Sequence, residues 1–129
     1  MSMEKYIVDT DVIIDLLKGN ELAKNLFLEL SYNEIYVSVI TVAELLAGAR
    51  NDKEIEIIKK LIAAFQVVDI DIETAIKAGL IKKEFNKSHN IGLADSFIAA
   101  CTMNINGQLI TQNIKHYPMF PNLKKPYKK

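Results

Sequence analysis

The chain has 129 residues, half of them apolar and a quarter charged, and its 16 basic and 16 acidic side chains give a formal net charge of zero. That suits one globular domain over 1–129 with a real core, and no apolar run approaches the ~20 residues of a membrane span. A single cysteine excludes an internal disulfide framework and a paired-cysteine metal knuckle, and the opening MSMEKYIVDT lacks the apolar stretch of a secretory signal, so a cytoplasmic protein is expected.

In chain order, KYIVD predicts a buried strand. A short helix follows over 11–18, closed by Gly19, and Asn20 caps a second helix through Leu30 with Leu22, Leu26 and Leu30 on one face. EIYVSV predicts a second strand, with the apolar run reaching Ile40, and TVAELLAGAR a helix beginning at Thr41. DKEIEIIKKLIAAF is amphipathic, with Ile55, Ile58, Leu61 and Ile62 as its apolar stripe. QVVDI is a short third strand, and Asp71 caps a helix running to about Lys87. SHNIG is a loop, LADSFIAACTMNI a mostly apolar helix burying Cys101, and QLIT a fourth strand after the turn Asn106-Gly107. The Pro- and Lys-rich remainder is irregular, with room for one more short strand.

Apolar strands alternating with helices indicate an α/β fold with a parallel sheet covered on both faces. Ligands in such sheets collect beyond the carboxyl ends of the strands, where strand order reverses. Asp9 and Asp11 end the first strand, Glu44 follows the second, Asn113 follows the fourth, and Asp95 opens the helix leading into it. By that rule all five face one cleft. Acids gathered without cations repel and raise one another's pKa. A hard divalent ion with oxygen ligands is the usual offset.

Each residue also has a structural reading. Asp11 suits an N-cap, although that leaves Asp9 without a partner. Asp15 reads as a solvated helix acid. Thr41-Val42-Ala43-Glu44 fits a capping box, Asp95 complements a helix dipole, and Asn113 suits a turn. His89 and His116 read as exposed loop residues. No zinc spacing, phosphate-binding glycine array or nucleophile elbow occurs. Charge is uneven along the chain: all 16 acids lie in residues 1–95, whereas residues 96–129 carry five lysines and no acid. An acidic body with a basic tail is compatible with a polyanion partner.

Four segments in order, YIVDTDVIIDLLKG, SVITVAELLAGA, IGLADSFIAA and LITQNIKHYPMFPNL, resemble the motifs of PIN-domain ribonucleases. The likeness is closest to VapC-type toxins of prokaryotic type II toxin–antitoxin pairs, and it covers nearly the whole chain. It implies a three-layer α/β/α domain with a small parallel sheet of four to five strands. It further implies Mg²⁺- or Mn²⁺-dependent endoribonucleolytic cleavage of RNA, a homodimer and a VapB-like antitoxin. Asp9, Glu44 and Asp95 would hold the ion, and Asp11 and Asn113 would complete the site. Two departures from the family stand out: Asn113 replaces a fourth carboxylate, and His116 stands where an Asp before the aromatic residue is common. The apolar stripes on 20–30 and 52–64 are the expected dimer surfaces.

Two other classes share parts of this pattern. Asp9-Thr10-Asp11-Val12 matches the strand-end signature of haloacid-dehalogenase-like phosphatases, but Thr111 and Lys115 fall too close together and no acid follows Asp95. A phosphoreceiver-like module would use Asp69 and Lys115, with Asp69 closing a central strand.

Overall fold

The computed structural model describes residues 4–89 and 91–128. Four strands, β1 (Lys5–Val8), β2 (Glu34–Ser38), β3 (Gln66–Val68) and β4 (Gln108–Ile110), form one parallel sheet in the order β3-β2-β1-β4. The chain builds outward from β1 through β2 to β3, then returns to place β4 on the other side of β1. Strand order therefore reverses between β1 and β4, where an open α/β sheet leaves a crevice.

Six helices cover the sheet: α1 (Thr10–Leu17), α2 (Glu21–Leu30), α3 (Val39–Ala47), α4 (Asp52–Ala63), α5 (Ile72–His89) and α6 (Leu93–Asn104). Successive strand residues point to opposite faces, and β1 shows it: Ile7 enters the core with Ala78, Ile98, Cys101 and Leu109, whereas Val8 enters the core with Val12, Ile13, Leu26 and Val37. The first core lies under α5 and α6 and the second under the first four helices, which gives three α/β/α layers. Burying two apolar faces is why β1 reads as an unbroken apolar run.

Several helix boundaries follow caps that the sequence displays. Asn20 accepts from the Ala23 amide at 3.0 Å, Asp71 accepts from the Thr74 amide at 2.9 Å, and Gly19 takes φ 80° where α1 ends. Elsewhere the structure departs from expectation. α1 begins at Thr10 because Asp9, rather than Asp11, is its N-cap. α3 begins at Val39 rather than Thr41, because the Ser38 hydroxyl accepts from the Ile40 amide at 3.0 Å. That cap overrides the strand preference of Val39-Ile40 and places Glu44 in the helix body, so Thr41–Glu44 is not a capping box. α5 continues through Ser88 to His89, and Asn90 lies outside the described residues. Beyond β4 a 3₁₀ turn (Ile114–His116) stands where a fifth strand had room, and no later strand occurs among the described residues.

Candidate active site

Parallel pairing of Val8 with Ile110 makes Asp9 and Thr111 the next residues of neighbouring strands, and the Asp9 amide donates to the Ile110 carbonyl at 2.9 Å. As N-cap of α1, Asp9 accepts at Oδ1 from the Thr10 amide at 2.8 Å. Its Oδ2 accepts from the Thr111 hydroxyl at 2.8 Å and from the Tyr117 hydroxyl at 3.0 Å. Burial pushes the Asp9 carboxyl above its usual pKa; the three hydrogen bonds pull it back, and the charge of Asp95 pushes it up again.

Asp95 sits in the first turn of α6. Its Oδ1 lies 3.3 Å from the Tyr117 hydroxyl and its Oδ2 lies 3.1 Å from Nδ1 of His116. Tyr117 is fully buried, and its one hydroxyl proton lies between two carboxylates. Burial, with Asp9 and Asp95 alongside, raises the phenol far above its usual pKa, so it stays a donor. Asp95 is itself raised, first by burial and also by the charge of Glu44, against the opposing pull of His116 and Tyr117. Glu44 joins from α3: its Oε1 accepts from the Thr10 hydroxyl at 2.7 Å, and the Thr41 hydroxyl lies 3.0 Å from that of Thr10.

Asp11, in the first turn of α1, accepts at Oδ2 from the Gln112 amide at 3.0 Å, while its Oδ1 is buried without a hydrogen-bond partner. Burial first, then the charge of Asp9, lifts its pKa to about 6. Asn113 is exposed, and its amide donates to the Thr111 hydroxyl at 3.0 Å, one step from Asp9. Asp15 is not the solvated acid expected; it is buried and accepts from the Tyr127 hydroxyl at 2.5 Å.

Asp9, Glu44 and Asp95 are thus linked through Thr10 and Tyr117, with Asp11 coupled to Asp9 by charge. Among the described residues, no three His, Cys, Asp or Glu side chains already stand as a group that could hold an ion. The donor set nonetheless has the chemistry of a hard-cation site. It is all oxygen, one buried carboxylate oxygen is unpaired, and three of the acids are held above their usual pKa. Lysine and arginine do not neutralise them: the Lys and Arg ion pairs among the described residues go to Glu21, Glu54 and Glu56.

Tyr117, Thr111, Gln112 and His116, all within the closing motif, contribute contacts not expected from the sequence, where His116 reads as an exposed loop residue. Thr111 had a legible signal, because it follows its strand as Asp9 follows β1. Tyr117 lies outside any periodic pattern, and its signal was its place as the aromatic residue of the closing motif, after His116. The rival readings lose support here. Asp9 is buried with both oxygens engaged, unlike an open nucleophile, and Asp69 follows β3, an edge strand.

The PIN domain family model matches residues 6–118. The chain is 36% identical over 123 residues to Ribonuclease VapC10 of Mycobacterium tuberculosis, covering 94% of this chain and 92% of that protein. It is 33% identical over 124 residues to Ribonuclease VapC19 of the same organism, covering 94% of this chain and 98% of that one. Among solved structures, a toxin-antitoxin complex from Klebsiella pneumoniae superposes with a TM-score of 0.80 at 25% identity, covering 96% of this chain and 99% of that chain. The family model over residues 6–118 and relatives at 33–36% identity along nearly the full chain, together with acids from three ordered motifs at the switch point of the sheet, make this protein a member of the PIN-domain family, on its VapC branch.

Proposed function

We propose that the protein is the endoribonuclease toxin of a toxin–antitoxin pair, cutting single-stranded or looped RNA in the cytoplasm with Mg²⁺ or Mn²⁺ held by Asp9, Glu44 and Asp95. The observation that carries this reading is the pair of carboxylates, Asp9 and Asp95, facing one hydroxyl proton of Tyr117 at the switch point. The ion supplies charge neutralisation at the phosphate and an acidified water. The chain's own residues fix the acids. Thr111 and the Thr10 amide orient Asp9, the Thr10 hydroxyl turns Glu44 toward the same crevice, and Tyr117 spaces Asp9 from Asp95. Asp11 keeps a buried, unpartnered oxygen for a water or a weaker second ion, and exposed Asn113 would hold a water by its amide.

A groove of about 550 Å³ between α1, α3 and α4, lined by Ile14, Leu17, Leu45 and Ile57 and reaching Glu44, suits an antitoxin segment. The likeness to a toxin-antitoxin complex supports a VapB-like partner. For the homodimer, the uncovered stripe is on α5: Ile72, Ile76 and Leu80, at i, i+4 and i+8, are 72%, 55% and 60% exposed. We place the dimer there rather than on 20–30 and 52–64.

Purified protein with Mn²⁺ should cut a single-stranded RNA internally, and EDTA should stop it. Asp9→Ala and Asp95→Ala should each remove activity, whereas Asn113→Asp should keep or raise it and enlarge the rise in melting temperature on adding Mn²⁺. Cleavage by Asp9→Ala equal to wild type, after removal of contaminating ribonuclease, would overturn the assignment.

A further inference from the structure

The carboxylates that suit a cation repel the phosphates of RNA, so a strand must be held by groups outside them. A cleft of about 640 Å³ opens beside the site, lined by His89 from the end of α5 and by residues of the segment 114–123. That volume is in the ~300–1,000 Å³ range of ligand sites. Among the described residues no acid lines it, while His89, Lys115 and His116 do. His116 also touches Asp95 at 3.1 Å, which makes the cleft continuous with the carboxylates. Its floor includes Phe120, half-buried, with its ring stacked 6.5 Å from that of Tyr117 at 27°, and Pro118 and Pro121 flank it. Exposed Lys124 and Lys125 follow directly after Leu123 at its edge.

We infer that this cleft seats the RNA strand next to the scissile phosphate: Lys115 and the Lys124-Lys125 pair hold backbone phosphates, and a base lies on Phe120 between the two prolines. The inference rests on the ribonuclease reading and names where its substrate lies. A flat apolar surface beside cations is what single-stranded nucleic acid uses, because every base has a face to stack and each phosphate carries a charge. Charge complementarity selects the occupant. The groove between α1, α3 and α4 sets Glu44 and Glu54 against Lys18 and Arg50, with Arg50 paired to Glu54, so it offers a phosphate chain no net positive charge, whereas the cleft offers Lys115 and two histidines. The basic tail thereby acquires a place in the chemistry.

The test uses a fluorescein-labelled single-stranded RNA, titrated in EDTA so that binding is read without cleavage. Lys115→Gln and the double change Lys124→Gln/Lys125→Gln should each weaken binding about five- to tenfold and flatten its salt dependence by about one phosphate contact per lysine removed. Phe120→Leu, which keeps an apolar side chain against Tyr117, should weaken binding about fivefold or more with little change in salt dependence. With Mn²⁺ the same variants should raise KM while kcat stays near wild type. Photo-cross-linking wild type to 4-thiouridine RNA should label the tryptic peptide over 116–124. Wild-type affinity in all three variants, or cross-links confined to α1, α3 and α4, would overturn the cleft while active wild-type enzyme leaves the nuclease reading standing. An inactive wild type that still cross-links at 116–124 would instead remove the nuclease reading.

Discussion

Tyr117 sits under two acids that differ in what they need from it. Asp9 already accepts from Thr10 and Thr111, whereas Asp95 has only His116 besides the phenol. Replacing Tyr117 by Phe keeps the buried ring and removes a hydrogen bond to a charged group, worth about 1.5–3 kcal/mol. Urea denaturation in EDTA should show a loss of that order, while the rise in melting temperature on adding Mn²⁺ should exceed that of wild type, because the acids lose the proton they shared. An unchanged response to Mn²⁺ would mean that Tyr117 does not space them. The pKa shifts set a pH dependence of the same site. Asp9, Asp11 and Asp95 are all raised above the unfolded value of 3.8, Asp11 to about 6. The folded state holds these protons more tightly than the unfolded chain, so their contribution is fully present below 3.8 and is lost as pH rises through each folded pKa, for Asp11 about 6. The metal-free wild type should therefore lose melting temperature between pH 4 and pH 7 more steeply than Asp11→Asn, which removes part of that slope, and the two slopes should converge above pH 7.

Among the elements, the boundary between β2 and α3 decides where Glu44 points. Ser38 is fully buried, caps α3 through the Ile40 amide, and has the Cys101 thiol 3.6 Å from its oxygen. Ser38→Ala removes the cap, at a cost of about 1 kcal/mol. Equilibrium unfolding should show that loss, and since the same helix carries Thr41 and Glu44, activity should fall with it. Stability unchanged within error would show that the strand–helix junction does not depend on Ser38. The tail makes a comparable element-scale contact: the Gln112 side chain donates to the Tyr127 carbonyl at 3.0 Å while the Gln112 amide holds Asp11. Residues far apart in sequence thus meet over α1.

For the whole molecule, the stripe on α5 is the proposed dimer seam. Ile76→Lys/Leu80→Glu places charges in the middle of that stripe, whose side chains are more than half exposed in the single chain. Sedimentation should show wild type as a dimer at micromolar concentration and the double variant as a monomer with an unchanged circular dichroism spectrum. A dimer in both would move the interface to α2 or α4.

What sequence alone determined about this protein is local and periodic. The apolar runs of β1 and β2, the caps Asn20 and Asp71, the turn at Gly19 and the place of Asp9 just past the first strand could all be read because each depends on neighbours a few residues away. Asp95 was legible as an acid opening its helix for the same reason, whereas Glu44, expected in a capping box, stands in the body of α3. Tertiary structure decided the rest. Ser38 outcompeted β-branched Val39-Ile40 for the end of β2, because a buried hydroxyl could satisfy a helix amide there. The partners of Asp9 came from Thr111 and Tyr117, more than a hundred residues away, because β4 pairs with β1 and carries them to its end. Pairing order in a sheet is a long-range property, and the chemistry of this site depends on it.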